Sequence, residues 1–365
     1  MKPVFVRFAL GLSLGLAAAA LPLAAHAQAF PSKPVRIVIP FAPGGSTDAN
    51  ARIINEKLAA LWGQPVIIES KPGANTIIGT DAVAKSPGDG YTLLLTSTAY
   101  VVNPSMYAKL PYDPMGDFQP VTIVSVSPFA MVAASSFPAR SIKELIAMMR
   151  AKPGSVSFGT ADSSSAFAGH LFNMLAKTDL QSVSYKGAGP LMTDLAGGHV
   201  PIGIAAVSSV QGQVKAGRVR LLGVASSKPT PLFPDAPVIS GEVPGYEAIS
   251  WFGLFVPKGT PKDVIAKIQR DVASVLKDAD VQKRFTDIGA EPGGQTPEEF
   301  GARVRAEMEL WDFRPGTGGT RADPAHAART TAIARCVADR AGVLASQSHA
   351  CGGIHSGRRS GKKKA

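Results

Sequence analysis

Short runs of aliphatic and β-branched residues alternate with amphipathic helical patterns along most of this chain. Alternation of this kind is typical of α/β folds, in which helices connect largely parallel strands. The sequence predicts strands at residues 35–39, 66–69, 92–95, 121–126, 129–133, 156–158, 183–185, 202–207, 221–225 and 251–256. Because the chain has 365 residues, it is long enough for two domains with a sizeable core.

Two helical patterns carry a clear apolar stripe of the kind that packs against a sheet. The first stripe comprises Ala51, Ile54, Leu58, Leu61 and Trp62, and Gly63 is predicted to end that helix. The second comprises Val264, Ile265, Ile268, Val272, Val275 and Leu276. Both stripes are interpreted as core and not as cofactor-binding surface.

The first residues have the form of a secretory signal peptide. Lys2 and Arg7 precede an apolar run, and a small-residue cleavage pattern ends at Ala27. The alternative is a membrane anchor, since residues 8–25 approach the ~18 residues that suggest a span. Pro22 and the cleavage pattern favour removal of residues 1–27. We therefore expect a soluble mature protein in the periplasm.

The formal net charge of +11 is concentrated at the ends of the chain. Residues 312–365 contain ten basic and three acidic residues, and the remaining body is nearly neutral. A neutral body argues against nucleic acid as a partner. Both cysteines, Cys336 and Cys351, also lie in this tail, so the core does not depend on a disulfide.

The composition changes abruptly after Trp311, as it would after a shift of reading frame. Residues 312–365 are rich in Gly, Arg and Ala, and they are expected to be disordered. The alternative is a basic arm for membrane lipid or nucleic acid.

Helix starts fall into two groups. In a capping box, an acidic residue three positions after the cap returns a hydrogen bond to the cap. The sequence predicts such boxes for three pairs: Ser141 with Glu144, Thr260 with Asp263, and Thr296 with Glu299. The segments at residues 44–50 and 159–170 follow strands and begin helices without Glu or Gln at that position.

Helix starts without a capping box favour the binding of an anion, because a helix N-terminus combines free amides with the positive end of the helix dipole. The alternative is an ordinary cap by Ser46, Thr47 or Ser163. Asp48 lies in the first turn and complements the dipole itself, so it is kept out of the predicted binding set.

Motifs for catalysis are not evident. No Walker lysine or G-x-G-x-x-G fingerprint accompanies the glycines of the segment at residues 44–50. The pattern G-x-S-x-G does not occur around the serines of the segment at residues 159–170. His170 and His199 are the histidines of the mature body, and no cluster has metal-ligand spacing. We predict a binding protein with no cofactor and no metal. The alternative from another class is a secreted esterase using Ser163, Ser164 or Ser165.

Six segments carry long motifs in a distinctive order. They read KPVRIVIPFAPGGSTDANAR, VIIESKPGANTIIGTDAVAKSPGDGYTLLL, NPSMYAKLPYDPMGDFQPVTIVS, VSYKGAGPLMTDLAGGHV, VKAGRVRLLGVAS and ISWFGLFVPKGTPKDVI. Together they closely resemble the Bug-type substrate-binding proteins of tripartite tricarboxylate transport systems. The likeness spans residues 31–311 and is specific because several long motifs agree at once.

The resemblance implies a two-lobed, type II-like periplasmic-binding-protein fold, with a mostly parallel sheet flanked by helices in each lobe. It implies one lobe at residues 31–126 with 246–311, a second at 127–245, and crossing strands at 121–126 and 248–256. It also implies a small carboxylate ligand and membrane permease subunits as partners. We expect a monomer that is not an enzyme. A receptor that presents its ligand to a membrane sensor is a further alternative.

The family's ligand loops can be carried over position by position. In the first lobe they fall on Phe41, Ala42, Gly44, Gly45, Ser46, Thr47, Ala74, Asn75, Thr76, Ser97 and Thr98. In the second lobe they fall on Thr160, Ser163, Ser164, Ser165, Tyr185, Lys186 and Gly187. Relatives often carry an acid in the segment where Ala205 and Ala206 stand here, so we predict a plain carboxylate and not an amino acid. Thr76 replaces a glycine usual in relatives and is expected to narrow the approach to the ligand.

Overall fold

A computed structural model describes residues 30–311 of the chain. The predictions for residues 1–27, for residues 312–365 and for the two cysteines fall outside this range. No helix between residues 30 and 311 has the length and hydropathy needed to cross a bilayer.

The strands agree closely with the sequence pattern. They are β1 Val35–Ile39, β2 Val66–Ser70, β3 Thr92–Ser97, β4 Phe118–Ala134, β5 Ser157–Thr160, β6 Gln181–Ser184, β7 Ile202–Ala206, β8 Val219–Val224, β9 Ile249–Pro257 and β10 Glu291–Pro292. The helices are α1 Ser46–Trp62, α2 Ile77–Ala84, α3 Ala99–Met106, α4 Ile142–Ala151, α5 Ser163–Ala176, α6 Ala188–Ala196, α7 Val207–Lys215, α8 Lys262–Leu276, α9 Ala279–Asp287 and α10 Pro297–Trp311.

Two sheets share the long strand β4. In the first sheet the order is β2-β1-β3-β9-β4, with β1 parallel to β2 and β3, and β9 antiparallel to β3 and β4. In the second sheet β7, β5 and β6 follow one another in parallel, and β4 runs antiparallel to β7 and β8. Buried apolar clusters cover both faces of each sheet. The predicted fold of two α/β lobes joined by crossing strands is confirmed.

The prediction of separate strands at residues 121–126 and 129–133 is wrong, because β4 runs unbroken through both. Ser127 and Pro128 continue the ladder against Ser250 and Ile249 of β9. A residue before proline favours extended backbone, so Pro128 is compatible with a continuous strand. The same strand thereby links the two sheets.

The helix stripes are mostly as predicted, whereas only one of the three predicted capping boxes is complete. Gly63 ends α1 in the left-handed conformation, with φ of 62°. Leu61 is 53% exposed and does not belong to the buried stripe of α1. Reciprocal bonds confirm the box between Thr296 and Glu299. Thr260 does not cap α8, because its hydroxyl donates to the carbonyl of Pro257 and α8 begins after Pro261.

The helix α4 has half of its predicted box. The amide of Glu144 donates to the Ser141 hydroxyl, so the cap itself is confirmed. The Glu144 carboxylate instead accepts from the amide of Arg140.

Candidate functional site

The start of α1 has no side-chain cap from its own N-cap residue, Gly45. Asp48 turns back, and its carboxylate accepts from the amide of Gly44 at 3.1 Å and pairs with Arg52 at 3.0 Å. That hydrogen bond to Asp48 raises the pKa of Arg52. Among the described residues, none accepts a hydrogen bond from the amides of Gly45 or Thr47. The prediction of an uncapped start is confirmed for this helix.

A serine pair on α7 contacts the start of α1 from the other sheet. The Ser46 amide donates to the Ser209 hydroxyl at 3.1 Å, and the Ser208 hydroxyl donates to that of Ser46 at 2.7 Å. The hydroxyls of Ser46 and Ser209 also share a short hydrogen bond. The Ser46 amide, which the sequence predicts to be free, is therefore hydrogen-bonded within the protein.

The start of α5 differs from its prediction. Asp162 forms a capping box with Ser165: its carboxylate accepts from the Ser165 amide at 2.9 Å, and the Ser165 hydroxyl accepts from the Asp162 amide at 3.0 Å. The same hydroxyl accepts from the amide of Ala161. The prediction that this helix start has no capping box is wrong, because an aspartate and a serine form the box without Glu or Gln.

Most of the predicted hydroxyl ligands are bonded within the protein. Ser163 donates to the side chain of Asn103 at 2.6 Å, Ser164 donates to Asp162 at 2.7 Å, and Ser97 donates to Asp162 at 2.7 Å. Thr98 accepts from the backbone amide of Trp251. The Ser163 and Ser97 hydroxyls tie the two halves of the chain together across the gap between the sheets.

Two cavities lie where the halves meet. The first, called the inner cavity, has a volume of about 30 Å³. This volume exceeds the roughly 10–15 Å³ that one water needs. Of the predicted residues the inner cavity is lined by Phe41, Gly45, Ser46 and Thr47. Ala205 and Ala206 also line it, as the sequence analysis assumed, and so do Ala161 and Asp162, which lie within the predicted segment at residues 159–170. The residues that sequence reasoning missed there are Phe129, Ala188, Ser209, Ser250 and Phe252.

The outer cavity, of about 190 Å³, shares Phe41 and Ala161 with the inner one. Its other predicted residues are Asn75, Thr76, Tyr185 and Lys186, and the residues missed are Pro40, Gly73, Tyr107 and Ser184. The predicted residues that line neither cavity are Ala42, Gly44, Ala74, Ser97, Thr98, Thr160, Ser163, Ser164, Ser165 and Gly187.

The loop before α2 is strained. Ala74, Asn75 and Thr76 have φ of 43°, 53° and 77°, a region that is unfavourable for non-glycine residues and most of all for a β-branched one. The side-chain amide of Asn103 holds the loop by donating to the Asn75 carbonyl at 2.9 Å and to the Thr76 hydroxyl at 3.0 Å. Asn103 is a residue that sequence reasoning missed.

Backbone contacts also join the two halves beside the outer cavity. The Ala42 amide donates to the Lys186 carbonyl at 3.0 Å. The Tyr185 hydroxyl donates to Asp194 at 2.9 Å, and burial together with this bond raises the pKa of Tyr185. His199 lies on the surface, 3.5 Å from Asp194.

Ser208 and Ser209 carried a signal that the sequence reasoning did not use. They lie in the first turn of a helix that follows a strand, which is the context that had singled out residues 44–50 and 159–170. Over residues 30–311, no group of three or more His, Cys, Asp and Glu side chains is placed to hold a metal ion.

Two α/β lobes, linked by the long strands β4 and β9 and enclosing cavities between them, define a periplasmic binding protein. Residues 50–304 match TctC, the tripartite tricarboxylate transporter family receptor, and the chain belongs to this family.

Solved structures agree with this assignment. The periplasmic binding protein BugD is 32% identical, with a TM-score of 0.74 over 78% of this chain and 96% of its own. Rpa4515 of R. palustris, solved with adipate, is 31% identical, with a TM-score of 0.76. The match covers 83% of this chain and 98% of Rpa4515. MatC of Rhodopseudomonas palustris, solved with bound malate, is 30% identical, with a TM-score of 0.74. The match covers 78% of this chain and 99% of MatC.

Proposed function

We propose that this protein is a periplasmic receptor that captures a small carboxylate between its lobes and delivers it to the permease of a tripartite transporter. The lobes in this proposal are residues 31–126 with 246–311, and residues 127–245. The carboxylates present in the R. palustris structures support the ligand class.

The start of α1 carries the proposal. The amides of Gly45 and Thr47 border the inner cavity at the positive end of a 17-residue helix. Oriented amides of this kind bind carboxylates, and binding is stronger where water is excluded. Phe41, Phe129 and Phe252 form the apolar part of the wall. A carboxylate in this cavity would satisfy donors that no described residue satisfies.

The outer cavity extends the site. A ligand that passes Phe41 and Ala161 reaches Asn75, Thr76 and Lys186. The ammonium of Lys186 is a suitable partner for a second acidic group, so the combined site fits a dicarboxylate. Domain closure about the linking strands would complete both cavities, as in other two-lobed receptors.

A secreted esterase is the second candidate that the sequence raised. Its serines donate to Asn103 and to Asp162, and not to a histidine. This arrangement does not activate a nucleophile in the manner of a Ser–His pair. Turnover of a generic ester that is lost on Ser163→Ala, Ser164→Ala or Ser165→Ala would favour the enzyme.

A thermal-shift screen tests the receptor. Mono-, di- and tricarboxylates are compared with their neutral amides on residues 28–365. A carboxylate at 100 times its Kd stabilises by about 2.7 kcal/mol through mass action and raises the Tm. Equal shifts with carboxylates and amides, or no shift with any carboxylate, would refute the proposal. Capture of permease subunits from membranes would separate transport from ligand presentation to a sensor.

A further inference from the structure

We propose that Asp162 recognises a hydrogen-bond donor on the bound ligand, so that the receptor prefers a carboxylate bearing an amino or hydroxyl group. The proposal rests on the proposed function, because it concerns the carboxylate held in the inner cavity. It replaces the sequence-based expectation of a plain carboxylate.

Asp162 is placed to contact a ligand. Of the described residues that line the inner cavity, it is the only ionisable one. Its side chain belongs to a residue that is 9% exposed, so its charge is largely removed from water. A buried carboxylate is stabilised by hydrogen-bond donors and is costly without them. Its partners therefore decide what it can bind.

Three donors already reach this carboxylate. The Oδ1 atom accepts from the Ser165 amide at 2.9 Å and from the Ser164 hydroxyl at 2.7 Å. The Oδ2 atom accepts from the Ser97 hydroxyl at 2.7 Å. An ionised carboxylate has about four acceptor positions. We assign the fourth, on Oδ2, to a donor group of the ligand in the cavity that Asp162 lines.

The two sides of the cavity carry opposite polarity. The amides at the start of α1 favour a negative group, whereas Asp162, from the segment before α5, favours a donor. A molecule with both groups a few atoms apart matches the two sides together. A ligand with only negative groups would place one of them near the Asp162 charge, which is unfavourable.

The expectation of a plain carboxylate rested on Ala205 and Ala206. Both residues do line the inner cavity, as that reasoning required. The acid in the cavity comes from a different segment, because Asp162 follows β5, the parallel neighbour of β7. Absence of an acid at residues 205 and 206 therefore does not remove an acid from the site.

Asp162 also caps α5 and accepts from Ser97, so a test must separate recognition from structure. Asp162→Asn keeps the cap, since Asn and Asp are similar N-cap residues. The Ser97 hydroxyl can accept from the new amide, because a hydroxyl is both donor and acceptor. The amide nitrogen would occupy the Oδ2 position, however, and it presents a donor to the cavity. A ligand ammonium group at that position would lose its acceptor, whereas a ligand hydroxyl group could accept a hydrogen bond from the new amide.

The experiment measures Kd by calorimetry for three ligands with one carbon skeleton: aspartate, malate and succinate. The three-carbon and five-carbon series are measured in the same way. In the unchanged protein, the amino or hydroxyl acid should bind at least tenfold more tightly than its unsubstituted analogue, since hydrogen bonds to charged groups are the stronger ones. In Asp162→Asn the amino acid should lose about tenfold or more, whereas the unsubstituted acid should not weaken, because the Asp162 charge that disfavours it is removed.

The matched control is Asp278→Asn. Asp278 caps α9 through the amides of Asp280 and Val281, and it lines neither cavity. This variant should leave all affinities unchanged. If Asp162→Asn weakens all three ligands equally, or if an unsubstituted acid binds the unchanged protein as tightly as every donor-bearing one, the role of Asp162 is overturned while the receptor function stands. If no carboxylate binds, both proposals fail.

Discussion

Gly189 offers a test of whether the two lobes must meet for ligand to bind. It lies in the first turn of α6, opposite the loop that precedes α1. A Cβ atom added to Gly189 would come closer than 3.0 Å to the Pro43 carbonyl oxygen, a separation that real Cβ atoms do not show. Gly189→Ala should therefore prevent full approach of the lobes without disturbing either one.

The size of the effect follows from this contact. The lobes must separate here by roughly 1 Å to reach ordinary contact of about 3.5 Å. That displacement breaks the 3.0 Å bond from the Ala42 amide to the Lys186 carbonyl. Overpacking of about 1–3 kcal/mol and a lost hydrogen bond of about 0.5–1.5 kcal/mol together give about 2–4 kcal/mol. Affinity should fall roughly 30-fold to 1,000-fold.

Calorimetry with the best carboxylate from the screen measures this loss, and the Tm without ligand should not fall, because Ala favours a helix over Gly. The matched control is Gly212→Ala in α7, where an added Cβ meets nothing within 4 Å. Equal affinities of the two variants would show that approach of the lobes is not needed for binding, and the reasoning would be refuted.

Three further predictions concern stability. Glu307 is 5% exposed and accepts from the Trp251 indole at 2.8 Å and from Arg303 at 2.7 Å, so Glu307→Ala should lower the free energy of unfolding in urea by about 3 kcal/mol. Burial raises the pKa of Tyr112 to about 12, so the folded state keeps the phenol protonated where the unfolded state ionises. Stability should therefore fall between pH 10 and 12, by roughly 2–3 kcal/mol from this group, and less steeply in Tyr112→Phe. Deletion of residues 312–365 should leave the Tm and the ligand affinity unchanged.

Each of these has a defined contrary result. Glu307→Gln keeps a side chain that can accept from Trp251 and should cost less than Glu307→Ala; a cost below about 1 kcal/mol for the alanine variant would contradict the argument. Identical alkaline slopes for the unchanged protein and Tyr112→Phe would contradict the assignment to Tyr112. A lower Tm after deletion would show that the tail stabilises the fold.

Elements of the fold were predictable because their causes are local. The run at residues 35–39 alternates between two apolar clusters, with Ile37 in one and Val38 in the other, and it is β1. The stripe of α1 follows from its spacing, and Leu61 departs from it because it lies at the edge of the stripe. The continuity of β4 through Ser127 and Pro128 was not predicted, because it depends on the neighbouring strand β9 and not on adjacent residues.

The residues that line the cavities were predictable only in part. Phe41, Gly45 and Thr47 line the inner cavity as expected, because a strand followed by an uncapped helix start is visible in the sequence. Asp162 lies within the predicted segment at residues 159–170, but its place in the cavity wall was not predictable, because nothing local shows which way its carboxylate faces. The prediction of binding at these positions is for the ligand screen to test.

The sequence by itself determined the α/β alternation, the apolar stripes of the helices and the family. Tertiary structure decided which polar groups are available to a ligand. Ser46 meets Ser209 across 163 positions of the chain, Ser97 meets Asp162 across 65, and Asn103 meets Ser163 across 60. A hydrogen bond depends on the distance and direction between two groups, and for groups so far apart in sequence both are set by how the lobes pack.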